Sequence, residues 1–388
     1  MSVCEKALVG SRRYWAWIGA LLAVILVGVL FYLRQLHVGL GITGLSRDVT
    51  WGFYIAQFTF LVGVAASAVV VVLPYYLHDY HAFAKITILG ELLAMSAVVV
   101  CLLFIFVDMG QPERALNVIL YPTPTSIMFW DMISLGGYLV LNAVIAGLTL
   151  GAERRGVAPP RWLRPIVVLS IPWAVSIHTV TAFLYSGLPG RHLWLTALLA
   201  PRFLASAFAS GPALLILLAM IVRRLASFDP GREAIQKLSV IVAYTMIVNV
   251  FFVLMEVFTV FYSRIPEPMA HFEFLFVGLE GHAPLVPWMW ASMVLAVISL
   301  VLLLTPRYRT DERTLAAACG MVFASVWIDK GLGLIVGGFV PSPLGDVTLY
   351  VPTLPEISIT LAIWAVGVLL VTLLYKIALA VRGEPAGA

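Results

Sequence analysis

The stretch YWAWIGALLAVILVGVLFYL, Tyr14–Leu33, carries no charge and lies between Arg12-Arg13 and Arg34. An uncharged helix of that length crosses the hydrocarbon core of a bilayer. It is too long for the apolar core of an export signal, and no small-residue cleavage pattern follows it. It therefore reads as a first membrane helix with its basic flank held inside.

Nine further stretches repeat the pattern: 52–77, 84–107, 127–150, 165–187, 201–222, 237–262, 285–305, 314–337 and 355–380. The whole chain is 62% apolar and 11% charged, with a mean hydropathy of +1.01. Soluble domains carry about twice that charge. The expected fold is an all-α integral membrane protein of about ten transmembrane helices.

Basic residues orient it. With the N-terminus inside, inner segments hold 17 of the 24 Lys and Arg residues, including Arg154, Arg155, Arg161 and Arg164. That bias predicts both termini in the cytoplasm, N-in and C-in. The net charge of +4 sits in short connectors, so it is topological and not a nucleic-acid signal. Cys4, Cys101 and Cys319 are far apart and form no C-x-x-C. An iron–sulfur cluster, a zinc site or another metal site in this chain is not expected.

Spans two to five and six to nine run in the same direction, which suggests two parallel four-helix bundles plus two flanking helices. The single membrane domain, 1–388, then divides into four parts. These are a first helix and outer loop (1–51), a first bundle (52–187), a second bundle (201–337), and a last helix with its cytoplasmic tail (355–388). Outer connectors such as 108–126 and 263–284 are rich in Pro, Gly and aromatic residues, as a partner-binding face would be.

Ionisable groups at membrane depth mark sites or pathways. Asp108 ends span three and Asp131 begins span four, both at the outer face, while His178 and Tyr185 lie in the outer half of span five. Trp51, Tyr54 and Gln57 open span two at the same depth. His178, Thr181 and Tyr185 share a helix face by their i, i+3, i+7 spacing, as do Asp131, Tyr138 and Asn142. A pocket with apolar walls, aromatic plates and a few proton-exchanging groups suits a quinone headgroup. An unperturbed imidazole titrates near neutral pH, so His178 is the expected proton carrier, with Asp108 or Asp131 as its acidic partner. Each residue also has a plainer reading: His178 as an interhelical hydrogen bond, Asp108 and Asp131 as partners of Arg114 or as caps, Trp51 and Tyr54 as interface aromatics.

Only His178 among the seven histidines is well inside a span, so bis-histidine haem is not expected. Glu91, Asn142, Glu256, Asp329 and Lys330 form a second polar set that would carry protons or stitch helices together. Asp329 and Lys330, being adjacent, are expected to neutralise each other. No phosphate-binding G-x-x-x-x-G-K, H-E-x-x-H or G-x-S-x-G motif occurs.

Several of these stretches resemble the NrfD/PsrC family of membrane subunits. Trp51-Gly52-Phe53-Tyr54-Ile55 is similar to its span-two motif. Asp108 through Gly110-Gln111-Pro112, Arg114, Asn117 and Pro122 to Phe129-Trp130-Asp131 is similar to its third outer element. Ser176-Ile177-His178-Thr179-Val180 and Pro201-Arg202-Phe203-Leu204 resemble its fifth and sixth spans. The runs Gly44 to Gly52 and Leu73-Pro74-Tyr75-Tyr76 look most like its DsrP branch, the quinone-interacting subunits of sulfite-reduction-associated complexes.

The resemblance implies a bacterial or archaeal cytoplasmic membrane and menaquinone or ubiquinone as the exchanged cofactor. Trp51, Tyr54, Gln57, Arg114, Thr181 and Tyr185 would bind it. It also implies a periplasmic iron–sulfur partner (DsrO-like), a haem b membrane subunit (DsrM-like), a cytoplasmic iron–sulfur protein (DsrK-like) and a multihaem cytochrome c (DsrJ-like). Haem and iron–sulfur clusters would belong to these partners. Two other readings stay open: an ion-coupled secondary transporter using Glu91 and Glu256, and a structural anchor for a periplasmic redox protein.

Overall fold

A computed structural model describes residues 7, 9–78, 80–226 and 228–382. Among them are ten helices long and apolar enough to cross a membrane. Lipid offers backbone groups no partners, so each crossing segment must satisfy its own N–H and C=O groups as a helix. Span one is α1 (Arg12–Val38), and span two is α2 (Phe53–Ala65) followed by α3 (Ser67–Leu77). Span three is α4 (Ala84–Asp108), followed by the short α5 (Asn117–Leu120). Spans four to seven are α6 (Ile127–Arg154), α7 (Leu163–Ser186), α8 (Leu199–Leu225) and α9 (Arg232–Tyr262). After a loop helix, α10 (Pro266–Phe276), span eight is α11 (Val286–Leu304), followed by the single turn α12 (Pro306–Thr310). Span nine joins α13 (Glu312–Val326), a π-helical segment (Trp327–Gly333) and α14 (Leu334–Phe339); span ten is α15 (Leu354–Arg382). The described residues contain no strand, only an isolated bridge between Leu279 and His282.

The ten expected spans are all present, and most run past their apolar stretches into charged ends. Capping accounts for two of the starts. The Ser11 hydroxyl accepts the Tyr14 N–H at 3.3 Å, and the Asp311 carboxylate accepts the Thr314 N–H at 2.9 Å.

Span two is the central element, with its most apolar stretch wholly buried, whereas span one is covered along a narrow strip. It packs on α4, on α8 and on the π-helical segment of span nine. Around it, α4 meets α6, α6 meets α7, and α7 returns to α3. A second circuit runs α8, α9, α11, α13 and back to α8. Helices α1 and α15 lie against each other, and α15 also covers α4. The α1–α15 approach is close at Gly28, where an added Cβ would lie 2.1 Å from the Ala362 Cβ.

The loops at the start of span two are tied down by Glu356, a fully buried carboxylate missed in the sequence. It accepts the Gly44 N–H at 2.7 Å, the Thr353 N–H at 2.8 Å and the Tyr350 hydroxyl at 2.6 Å. The Tyr350 oxygen in turn accepts the Phe53 N–H at 2.7 Å, so this loop pair caps α2. At the opposite, basic end, Arg382 pairs with Glu153 at 2.8 Å and Arg223 pairs with Glu312.

Candidate functional site

The register of α6 against α7 is set by Trp173. Its indole lies over Gly137, where a Cβ would come within 2.4 Å, and its N–H donates to the Ser134 carbonyl at 2.8 Å. That register brings the buried Asp131 carboxylate to the Thr181 hydroxyl, which donates to it at 2.7 Å. Tyr138 and Asn142, on the Asp131 face, are buried below it, and the Asn142 amide donates to the Tyr138 carbonyl at 2.8 Å.

One turn along α7 from Thr181, His178 has no exposed surface, and neither ring nitrogen has a hydrogen-bond partner among the described residues. The interhelical hydrogen bond that would be its plain reading is not made. Buried polar groups in native proteins are nearly always partnered, so an imidazole left open at both nitrogens is a candidate for binding. Lys330 is within electrostatic reach of it.

Toward the loop-rich end the site is closed by aromatic rings. The Tyr185 hydroxyl is 2.5 Å from the Thr59 hydroxyl, which joins span five to span two. The Tyr185 ring meets Trp51 edge-on at 5.6 Å and Trp194 at 5.2 Å. Trp51 stacks on Trp194 at 5.9 Å and meets the edge of Phe339 at the same distance. Trp194 was missed because it sits in a connector; its place depends on Gly338, where a Cβ would fall 2.1 Å from its ring. Its indole N–H donates to the Leu334 carbonyl at 2.8 Å.

Other expected residues lie elsewhere. Tyr54 donates to the Gln35 side chain at 2.9 Å, and Gln35 donates to the Val107 carbonyl at 2.6 Å, so Tyr54 braces spans one to three. Asp108 has one buried carboxylate oxygen without a partner, and Tyr185 is within electrostatic reach of both Asp108 and Asp131. Arg114 is exposed in its loop and forms no ion pair with either acid among the described residues. Gln57 turns away from the Asp131–His178 group and accepts from the indoles of Trp327 at 2.8 Å and Trp364 at 3.0 Å.

The second polar set is organised by Arg202, which in the sequence is only a motif position. Arg202 is buried; it donates to Glu256 at 2.5 Å and to both oxygens of Asp329 at 2.8 Å. Asp329 is thus neutralised by Arg202 rather than by Lys330, because adjacent residues of a helix point in different directions. The Lys330 ammonium lies 4.2 Å from the centre of the Phe203 ring. A water-sized cavity of about 10 Å³ lies beside Arg202 and Asp329. Glu91 is buried in span three, within electrostatic reach of Arg382 at the basic end. Cys101 and Cys319 are free and buried, and Cys4 lies outside the described residues.

The family described as Polysulphide reductase, NrfD matches residues 41–340. The chain belongs to the NrfD family. A candidate membrane subunit of the dimethyl sulfoxide reductase of Halobacterium salinarum is 26% identical, over 92% of this chain and 89% of its own. The Hdr-like menaquinol oxidoreductase integral membrane subunit of Archaeoglobus fulgidus is also 26% identical, over 87% of this chain and 83% of its own. A subunit of the selenate reductase of Mesobacillus selenatarsenatis is 24% identical, over 50% of this chain and 54% of its own. This NrfD-family chain is therefore a multi-pass integral membrane protein of the kind found as membrane subunits of reductase complexes.

Proposed function

We propose that this chain is the quinone-reactive subunit of a membrane redox complex, exchanging electrons between the quinone pool and an iron–sulfur partner at its loop-rich end. The observation that carries the reading is the His178 imidazole, buried with both nitrogens open, one helical turn from Thr181, whose hydroxyl holds the Asp131 carboxylate. A quinone supplies two-electron, two-proton chemistry when bound. The chain supplies position and proton exchange. A neutral imidazole accepts a proton at one nitrogen and donates at the other, and Asp131 stands ready to take or return one. Trp51 and Tyr185 would flank the ring, and the closed aromatic end keeps bulk water from the exchanging groups. The menaquinol named for the archaeal relative favours the same ligand class.

The positive-inside bias supports an orientation with the loop-rich end outside, and the helix contacts accord with two four-helix bundles and two flanking helices. Exposed apolar residues of the loop after span three, Leu116, Ile119, Leu120 and Tyr121, suit a docked partner. A DsrP-like role with DsrO-, DsrM-, DsrK- and DsrJ-like subunits is the finer reading, resting on the motifs around Gly44–Gly52. Proton conduction through the second group of helices is favoured by the Glu256–Arg202–Asp329 network and its adjoining cavity. Glu91, Asn142 and Lys330 would extend that route toward the basic end.

The test is quinol oxidation by the assembled complex. His178→Ala and Asp131→Asn should each lower the rate by about 10²-fold or more, the usual contribution of a positioned acid or base. Partner subunits should still co-purify with both variants. Wild-type rates in both would leave only the anchoring role.

A further inference from the structure

Residues two apart on an α-helix point about 200° apart. Thr59 is bonded to Tyr185, so Gln57 necessarily faces the other side of span two, toward spans nine and ten. Its oxygen accepts the indole N–H groups of both Trp327 and Trp364. An indole nitrogen only donates, so two indoles can be satisfied only by the carbonyl end of the amide. This decides which way the amide lies and turns its NH2 group elsewhere. That nitrogen is buried and has no partner, although Gln57 is only 1% exposed. The Thr360 hydroxyl on span ten, 3% exposed, is also buried and unpartnered.

Both residues line one cavity of about 380 Å³, whose walls include Phe53, Phe323, Trp327 and Trp364. An apolar, aromatic-walled space of that size with a few convergent polar groups has the form of a small-molecule site. Its lining contains no titratable side chain. Whatever binds there accepts hydrogen bonds but exchanges no proton with the wall.

We propose that this cavity is a second quinone site, holding the head of a membrane-dissolved isoprenoid quinone without turning it over. A ring carbonyl takes hydrogen bonds from the Gln57 amide and the Thr360 hydroxyl, with the planar ring between the indoles of Trp327 and Trp364. The choice of a quinone rests on the proposed function, but the site shares none of its residues with the His178–Asp131 group. A lipid ester also offers a carbonyl, yet it would leave the aromatic walls against a non-planar, mobile chain.

The experiment uses the full chain in phospholipid vesicles and an azido-naphthoquinone with a short prenyl tail as photolabel. Label is expected in the peptides Phe323–Trp327 and Ile357–Trp364. Gln57→Leu, which removes a donor, and Thr360→Phe, which fills the space, should each reduce it by roughly fivefold or more. Thr360→Val keeps the shape, guards against misfolding as the cause, and should also reduce it. His178→Ala should leave this labelling in place while removing any label on span five. Absence of label from Ile357–Trp364, its persistence in Thr360→Phe, or its displacement by added phospholipid but not by unlabelled quinone would each overturn the proposal. Loss of the span-five label alone bears on the proposed function and not on this site.

Discussion

Arg202 shows how much one residue can organise in a low-dielectric interior. Its guanidinium presents donors in a planar fork and so reaches Glu256 and both oxygens of Asp329 at once. Removing one member of a buried pair leaves the others as uncompensated charges, at a cost of about 3–5 kcal/mol. Arg202→Met should therefore lower the melting midpoint of the purified protein sharply. Arg202→Lys should lower it less, since one ammonium cannot satisfy both carboxylates in the same geometry. Adding Glu256→Gln and Asp329→Asn to Arg202→Met should recover much of the loss. An unchanged midpoint for Arg202→Met would contradict this account. The presence of buried acids was legible in the sequence, but the identity of their partner was not. Adjacency in sequence pointed to Lys330, and helix geometry sends neighbours apart.

At the scale of elements, span nine departs from a regular α-helix and α10 depends on a single buried imidazole. The π-helical segment Trp327–Gly333 widens the turn in which Trp327, Asp329 and Lys330 fall. It delivers Trp327 to Gln57, Asp329 to Arg202 and Lys330 to Phe203 from one short stretch. Such bulges are frequent at functional positions, and a uniform hydropathy profile carries no trace of them. Helix α10 is held by His271, whose Nδ1 lies 2.8 Å from the Gly337 carbonyl and 2.9 Å from that of Val340. Two carbonyl neighbours require the proton on that nitrogen. Burial pushes the imidazole below its ordinary value of 6.5; the two carbonyl bonds oppose the shift, and His192 and Arg191 add to it. The unfolded chain therefore takes up this proton before the folded one does. The neutral imidazole contributes its full stability above about 6.5, and that contribution is lost as pH falls from there toward the lower folded value. Protection factors of the α10 amides, taken relative to intrinsic exchange at each pH, should fall on acidification through this range, and His271→Gln should flatten the response. Protection factors in α10 that are the same at pH 8 and pH 5 would refute it.

For the whole molecule, the proposed orientation puts the basic end in the cytoplasm and the loop-rich end outside. Alkaline phosphatase fused after Leu120 is expected to be active, and a green fluorescent protein fused at the C-terminus is expected to fluoresce in the cytoplasm. The reverse pattern would invert the orientation and place the His178–Asp131 group on the cytoplasmic side. The central position of span two explains why both candidate ligand sites touch it. Thr59 faces span five and Gln57 faces spans nine and ten, so one helix forms a wall of each.

Sequence by itself determined the ten crossings, the basic bias of one end and the shared face of Asp131, Tyr138 and Asn142. These follow from local rules: lipid forces each segment to satisfy its backbone as a helix, and helical periodicity decides which residues share a face. Only the tertiary structure decided that Asp131 meets Thr181, that Gln57 turns to two indoles, and that Arg202 reaches across to Asp329. Those outcomes depend on the rotation of each helix about its axis and on where a π-turn shifts the register. Both are set by close packing between segments, as where Trp173 closes on Gly137 and Trp194 on Gly338, and no single segment encodes them.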